Sequence, residues 1–133
     1  MGSIVLIASF SAIFILTAGP GIQPAGLNHG LDPDNLNGYQ NDTGFPLSAE
    51  DQLRFNRWVA YEAHRRGLII GLKNDPEQAE ALALDFDWIL VESCVLEGWC
   101  PLTRPFRDAG KPVLALEDAE LGATPEDAGG GVR

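Results

Sequence analysis

Basic side chains are scarce in this chain. The 133 residues include 9 Lys and Arg against 19 Asp and Glu, which gives a formal net charge of −10 and a pI near 4.4. Apart from the Arg65–Arg66 pair, the basic residues form no cluster along the sequence. The phosphate backbone of a nucleic acid therefore has no basic surface to bind, and we expect no nucleic-acid partner.

Several common catalytic signatures are also missing. The chain has no Walker loop, no GxSxG and no HExxH. The DPDNLNG stretch from Asp32 to Gly38 begins like a calcium-binding EF-hand loop, but Leu36 and Asn37 stand where that template has an oxygen ligand and a glycine. Two cysteines, Cys94 and Cys100, without a nearby histidine do not make a zinc site. We expect no metal and no organic cofactor.

Charge is absent from the first 31 residues, which contain no Asp, Glu, Lys or Arg. Within them, Ile4–Ala18 is an unbroken run of apolar and small residues. The run is short for a membrane span of about 20 residues but fits the core of a signal peptide. Residues 1–25 are therefore read as a signal or anchor segment, as a buried apolar helix, or as a gene-model artefact that replaces an upstream half. Membrane contact is expected only if the segment is an uncleaved anchor.

From Asn28 onward, short apolar runs alternate with helical periodicity. Strands are predicted around Leu31 and at residues 68–72, 88–91 and 112–116. Helices are predicted between them, because Pro at a first turn and Gly after a last turn mark their ends. After the long first helix, Asp75–Pro76 predicts a helix over residues 77–84, and Pro101 and Gly110 delimit another. Strands that alternate with helices predict an α/β fold with a parallel sheet of about four βα units.

The longest predicted helix runs from about Ala49 to Arg66. Ser48 and Asp51 approximate a capping box at its start, and Gly67 ends it. Apolar residues recur along it at helical spacing, so we expect one face to pack on the sheet. The predicted buried stripe consists of Phe55, Trp58 and Val59, widened by Leu53 and Ala63.

Ionisable residues end the four predicted strands. Because the carboxyl ends of parallel strands lie along one rim of a sheet, these side chains are expected to converge where ligands bind. Paired carboxylates are the groups that glycoside hydrolysis requires, one as nucleophile or base and one as general acid. The candidates at this rim are Asp32, Asp34, Lys73, Glu92 and Glu117.

Three sequence motifs stand out: LDPDNLNGYQNDTGF from Leu31, GLKND from Gly71 and VESC from Val91. In these motifs the chain resembles glycoside hydrolase family 114, the endo-α-1,4-polygalactosaminidases, often labelled α-galactosidase-like. The resemblance implies that residues 26–117 form the later half of a (β/α)₈ TIM barrel, strands four to seven. The charged, glycine-rich composition of residues 118–133 predicts a disordered tail. A partial barrel of this kind is the expected fold class.

The resemblance also implies roles for individual residues. Asp34, the acid of PDN, matches the nucleophile of a retaining mechanism, and Glu92 matches the acid/base. A neighbouring ammonium such as that of Lys73 keeps a carboxylate ionised. Glu117 is read equally as a helix cap or an exposed acid. The residues expected to contact substrate are Asp32, Asn35, Tyr39, Asn41, Lys73, Asn74 and Glu117.

The expected partner is an oligo- or polysaccharide with α-linked galactosamine or galactose. The resemblance favours a Cys94–Cys100 disulfide and a secreted protein, whereas two free thiols are the alternative. Asn41 opens an N-glycosylation sequon, but a glycan there would obstruct the rim. An inactive fragment or carbohydrate-binding remnant of such a barrel is the alternative function, and we expect the chain alone to hydrolyse its substrate poorly or not at all.

Overall fold

The computed structural model of the chain describes residues 4–7, 30–118 and 121. Within these residues, five parallel strands form one sheet in the order β1-β5-β4-β3-β2. From residue 30 to residue 118, helices alternate with the strands along the chain, as the pattern predicts. The strands are β1 (Ile4–Ile7), β2 (Gly30–Leu31), β3 (Ile69–Lys73), β4 (Trp88–Glu92) and β5 (Val113–Glu117).

Strand β1 was not predicted. Its backbone pairs with β5, so that Ile4 lies opposite Leu114 and Ile7 opposite Glu117. At these four residues the apolar segment is therefore extended rather than helical. The remainder of the predicted signal or anchor segment lies outside the described residues, as does nearly all of the predicted tail. Among the described helices, none has both the length and the apolar character that crossing a membrane requires.

The three central strands have apolar side chains on both faces of the sheet. Successive strand residues point to opposite faces, so Ile89 and Val91 join the larger core beneath the helices, while Trp88 and Leu90 join a second cluster with Leu114. This explains why the strands read as continuous apolar runs.

Gly71 makes room for the indole of Trp88 in the neighbouring strand. A Cβ at this position would lie 2.0 Å from Trp88 Nε1. Any other residue at this position would push the tryptophan out of the second cluster. The glycine therefore lets β3 and β4 pair closely just before they end in Lys73 and Glu92.

The long helix agrees with its predicted bounds, while the later ones are shorter than predicted. Helix α1 begins after a complete Ser48–Asp51 capping box. The later helices are each preceded by a short 3₁₀ turn or a tight bend, and one of them, directly after β4, was not predicted. The helices are α1 (Ala49–Arg65), α2 (Ala79–Leu82), α3 (Cys94–Glu97) and α4 (Arg104–Asp108).

The predicted buried stripe of α1 is wrong in its two aromatic members. Phe55 and Trp58 are 50% and 58% exposed, and their rings lie 6.0 Å apart on the surface. Small residues allow the helix to approach the sheet closely, and buried amides make hydrogen bonds there. The buried positions of α1 are Gln52, Asn56, Ala60 and Ala63, with Leu53 and Val59 partly buried beside them.

This correction predicts a large effect for one substitution on α1 and a small effect for another. Ala60→Leu adds three carbons at a position that is 1% exposed, so we expect it to lower the free energy of unfolding by about 1–3 kcal/mol. Trp58→Gln removes a large but exposed ring, and we expect a change within about 0.5 kcal/mol. Urea denaturation followed by circular dichroism measures both. A larger loss from Trp58→Gln than from Ala60→Leu would restore the aromatic stripe as the buried face.

Candidate active site

Three charged side chains converge at the carboxyl rim of the sheet. Lys73 is the last residue of β3, Glu92 is the last residue of β4, and Asp34 lies in the loop that follows β2. Because these three strands are neighbours and parallel, their ends are adjacent. The convergence predicted from the sequence is thus present for these three residues.

The ammonium of Lys73 links the two candidate catalytic carboxylates. Its Nζ donates to Asp34 Oδ1 at 2.9 Å and to Glu92 Oε2 at 2.8 Å. The Lys73 side chain is 8% exposed, whereas that of Asp34 is 79% exposed. Because Asp34 Oδ1 and Glu92 Oε2 both contact the same nitrogen, these two oxygens are less than about 6 Å apart. The separation of about 5–5.5 Å between the carboxyl groups of retaining glycosidases falls within this limit.

Asn74 holds the backbone and side chain of Glu92 together. Its Nδ2 donates to Glu92 Oε2 at 2.7 Å, and its Oδ1 accepts from the Glu92 amide at 3.0 Å. The same Nδ2 donates to Asn35 Oδ1 at 2.9 Å, which connects Glu92 to the loop that carries Asp34. Lys73, Asn74 and Asn35 therefore contact the candidate catalytic pair directly or through one amide.

Each of the three charged residues is followed by a residue in the left-handed region. Asn35, Asn74 and Ser93 have φ values of 57°, 56° and 60°, and they are the three described non-glycine residues with positive φ. Asparagine tolerates this conformation better than most residues, and such strain concentrates at functional sites. The backbone thus turns sharply directly after each charged side chain.

The electrostatics of the cluster favour an ion pair. Burial by itself lowers the pKa of Lys73, but hydrogen bonds from its ammonium to Glu92 and Asp34 outweigh burial and leave the pKa raised. The Lys73 hydrogen bond is the main cause that lowers the pKa of Glu92, and the Asn74 hydrogen bond adds to it. At neutral pH, Glu92 is therefore ionised and Lys73 is protonated.

Asp32 lies close enough to interact with the cluster without a hydrogen bond to it. Burial raises the pKa of Asp32, the ammonium of Lys73 lowers it, and the negative charges of Asp34 and Glu92 raise it. The net shift is upward. Asp32 is thus a neighbouring acid whose ionisation depends on the charge state of the other three groups.

A buried polar network beside the cluster was missed by the sequence analysis. Asp75 is fully buried, and its carboxylate accepts from the Tyr39 hydroxyl at 3.2 Å and from Asn56 Nδ2 at 3.0 Å. Burial raises the pKa of Asp75 to about 7. Tyr39, expected to contact substrate, thus directs its hydroxyl to Asp75. The Asp-Pro pair of residues 75 and 76 signalled only a helix start, so nothing in the pattern indicated this network.

An open cleft adjoins the cluster. Its volume is about 490 Å³, and Glu92 forms part of its wall. Asn41 also lines it, with its side-chain amide directed to the backbone oxygen of Asn37 at 3.1 Å. The cleft is lined by Asn35, Asn37, Gln40, Asn41, Asn74, Pro76, Glu77, Glu92, Glu97, Trp99 and Leu102. Three glutamates and several amides give it an acidic, hydrogen-bonding surface with one indole.

Glu117 does not belong to the cluster. It is 4% exposed, and its carboxylate accepts from the amides of Val95 and Leu96 at 2.8 and 3.3 Å. The substrate contact expected of Glu117 is therefore replaced by a contact with the start of α3. Of the two interpretations that the sequence left equal, a helix cap and an exposed acid, the helix cap agrees with these hydrogen bonds.

Cys94 and Cys100 form a disulfide with their Cα atoms 4.7 Å apart. It closes the segment directly after β4 that carries Glu97 and Trp99 into the cleft wall. The two sulfurs and a Glu117 oxygen lie within 4.8 Å of one another, but sulfurs bonded to each other are not thiolate ligands for a metal. The disulfide therefore stabilises one wall of the cleft.

Comparison with known proteins finds a match over the part of the chain that contains this site. The family model for glycoside-hydrolase family GH114 matches residues 28–127. No curated protein sequence matches the chain.

The crystal structure of Ega3 from Aspergillus fumigatus, determined in complex with galactosamine, is similar to this chain with a TM-score of 0.67 and 32% sequence identity. The match covers 74% of this chain and 42% of that chain, so the present chain corresponds to less than half of its length. This likeness confirms the predicted fold class, part of a β/α barrel.

Lys73→Met is expected to raise the pKa of Glu92, because the Lys73 hydrogen bond is the main cause that lowers it. The pH titration of the Glu92 side-chain carboxyl, followed by carbon-13 NMR, measures the shift. Lys111→Met is the matched control, since it removes an ammonium that donates to the Phe86 carbonyl, away from the site. An unchanged Glu92 titration in Lys73→Met would contradict the ion-pair description.

Asp75→Asn is expected to gain stability over the wild type as the pH rises. The pKa of Asp75 is 3.8 unfolded and about 7 folded, so its contribution is complete below pH 3.8 and is lost as the pH rises to about 7. Linkage sets an upper limit of about 4 kcal/mol on this loss. Thermal unfolding between pH 4 and 8 measures it, with Asp85→Asn as the control. A constant difference between Asp75→Asn and wild type across this range would exclude the raised pKa.

Proposed function

The chain belongs to glycoside-hydrolase family GH114, and on that basis we propose that it hydrolyses α-linked galactosamine- or galactose-containing glycans by a retaining two-carboxylate mechanism. Asp34 attacks the anomeric carbon, and Glu92 protonates the leaving oxygen and then activates water. The observation that carries this proposal is the Asp34–Lys73–Glu92 cluster at the rim of the sheet. The galactosamine bound to the similar Ega3 structure supports an amino-sugar substrate.

The position of each carboxylate fits its proposed role. Asp34 is the more exposed of the two, and one of its oxygens contacts the ammonium of Lys73 while the rest of its carboxylate is open to a ligand. Glu92 lies in the wall of the cleft and is fixed by Asn74. The limit of about 6 Å between their nearest oxygens leaves room for an attack at one sugar carbon.

Glu92 has to carry a proton in the first step and lose it in the second. In the unliganded chain its pKa is lowered by Lys73, so the structure corresponds to the ionised form that activates water. A bound substrate must therefore weaken the Lys73–Glu92 contact before the first step. Lys73 is thus proposed to control the protonation of Glu92 in addition to binding Asp34.

The acidic cleft favours a cationic sugar. Glu77, Glu92 and Glu97 all line it, and the indole of Trp99 offers an apolar surface of the kind on which sugar rings pack. Trp99 Nε1 donates to Glu97 Oε2 at 2.8 Å, so the two side chains are held together. The amine of a galactosamine residue carries the charge that such a surface attracts.

We also propose that the protein acts outside the cell. Its Cys94–Cys100 disulfide supports this location, because disulfides persist in oxidising compartments. A polysaccharide substrate is compatible with a location outside the cell.

The proposed roles predict distinct losses of activity. Relative to the low turnover expected of the chain by itself, Asp34→Asn and Glu92→Gln are each expected to reduce kcat on polygalactosamine oligomers by at least about 10²-fold, since each removes a group that acts in the transition state. Reducing-end release measures turnover, and proton NMR of the first-formed product should show a retained anomeric configuration. The exposed Asp108→Asn and Glu80→Gln serve as matched controls.

Azide distinguishes the two roles. With Glu92→Ala, azide should restore turnover and give a product of retained configuration, because the Asp34 intermediate still forms. With Asp34→Gly, any restored product should be inverted. The opposite assignment of products would exchange the two residues. If oligomers bind to the wild type in calorimetry but no reducing ends are released, saccharide binding without hydrolysis is the function.

Glu97→Gln is expected to weaken the binding of galactosamine oligomers about 3- to 10-fold and to leave the binding of N-acetylated oligomers nearly unchanged, because only the free amine is charged at neutral pH. Isothermal titration calorimetry at low and high salt measures both ligands. Equal losses for the two ligands would show that Glu97 does not recognise the amine.

A further inference from the structure

Asp75 is a buried carboxylate that the proposed mechanism does not use. It follows Lys73 by two residues and is fully buried. Its two hydrogen-bond donors named above, Tyr39 and Asn56, are both neutral. An acid in such surroundings is costly to retain, since burial without an ionic partner disfavours its charged form. The hydrogen bonds of Asp75 indicate its role in the structure.

Asn56 connects Asp75 to the loop that carries Asp34. Its Nδ2 donates both to Asp75 Oδ2 and to the backbone oxygen of Leu36, each at 3.0 Å. Its Oδ1 accepts from Gln52 Nε2 at 2.8 Å, which fixes the orientation of the amide. One fully buried side chain of α1 therefore joins the end of β3 to the segment directly after the candidate nucleophile.

The loop is held at two further points. The Leu36 amide donates to the Lys73 carbonyl at 2.9 Å, so the peptide groups on both sides of Leu36 are bonded. Three residues later, the Tyr39 hydroxyl reaches Asp75 from the 3₁₀ turn at Gly38–Gln40. Asp75 thus makes direct contact with the turn and indirect contact, through Asn56, with the segment beside Asp34.

We propose that Asp75 is a positioning residue, which acts through Asn56 and Tyr39 to hold the 35–41 loop so that Asp34 stays on Lys73 and the loop forms one wall of the cleft. Above a pH of about 7 the carboxyl of Asp75 is ionised and offers only acceptors, and here both of its oxygens receive a donor. Asparagine at this position offers one acceptor and one donor, so it satisfies only one of the two partners. The catalytic role of Asp34 in this inference rests on the proposed function, whereas the positioning of the loop by Asp75 does not.

The test uses the unliganded chain and therefore does not depend on turnover. Tyr39→Phe removes one hydrogen bond and no charge, and Asp75→Asn leaves one of the two donors, Tyr39 or Asn56, without an acceptor. We expect amide hydrogen exchange at Leu36, Gln40 or Asn41 to accelerate about tenfold in these variants. We also expect the pKa of Lys73, followed by NMR of its ammonium group, to fall by about half a unit as Asp34 leaves it.

Matched controls separate positioning from general stability. Tyr61→Phe removes the hydroxyl of an exposed tyrosine on the same helix as Asn56. Asp85→Asn removes a carboxylate that pairs with Arg57 and is not among the residues that line the cleft. Both should leave loop exchange and the Lys73 titration unchanged. If Tyr39→Phe and Asp75→Asn also leave both unchanged, whatever their melting temperatures, Asp75 is not a positioning residue. If only Asp75→Asn lowers the pKa of Lys73, the effect is that of lost charge and the proposal is likewise overturned.

Discussion

The site depends on the burial of one ammonium group. Lys73 ends a strand that is covered on both faces, and a cation in such a place is costly unless anions and hydrogen bonds compensate for the lost water. Asp34 and Glu92 supply those anions from the two neighbouring strands. Because parallel strands end together, only side chains from adjacent strand ends can reach it. The loop after β2 therefore has to turn toward β3, and Asn35, Asn74 and Ser93 adopt left-handed conformations where the chain turns.

The sequence predicted four of the five described strands, and the rim at their ends, because these depend on local properties. Continuous apolar runs that end in a charged residue describe β3, β4 and β5 almost residue by residue. The face of α1 depends instead on how closely the helix approaches the sheet. Periodicity counted Phe55 and Trp58 as core, but the contact requires small residues at Ala60 and Ala63 and an amide at Asn56. A pattern of apolar residues does not show that a buried backbone carbonyl needs a donor.

For the acids near the rim, too, the sequence pattern does not reveal which groups surround each side chain. Asp34, Asp75, Glu92 and Glu117 all lie at or just beyond strand ends, and the sequence does not distinguish their surroundings. Asp34 and Glu92 contact an ammonium, whereas Asp75 and Glu117 accept hydrogen bonds from neutral donors and are buried. The difference comes from the neighbours on other elements, which are distant in sequence. The family resemblance selected Asp34 and Glu92 through the motifs PDN and VESC, whereas Glu117 was a candidate only because it ends a strand.

The lowered pKa of Glu92 places a condition on how an amino sugar would bind under the proposed mechanism. The first step requires a proton on Glu92, and a second cation close to Glu92 would oppose it in the same way as Lys73 does. The ammonium of the sugar therefore has to lie away from Glu92. Glu77 and Glu97 offer anionic positions elsewhere on the wall of the same cleft. A sugar oriented by these two acids brings its amine to them and leaves its leaving-group oxygen facing Glu92. In that orientation the acidic character of the cleft and the proton requirement of Glu92 are compatible.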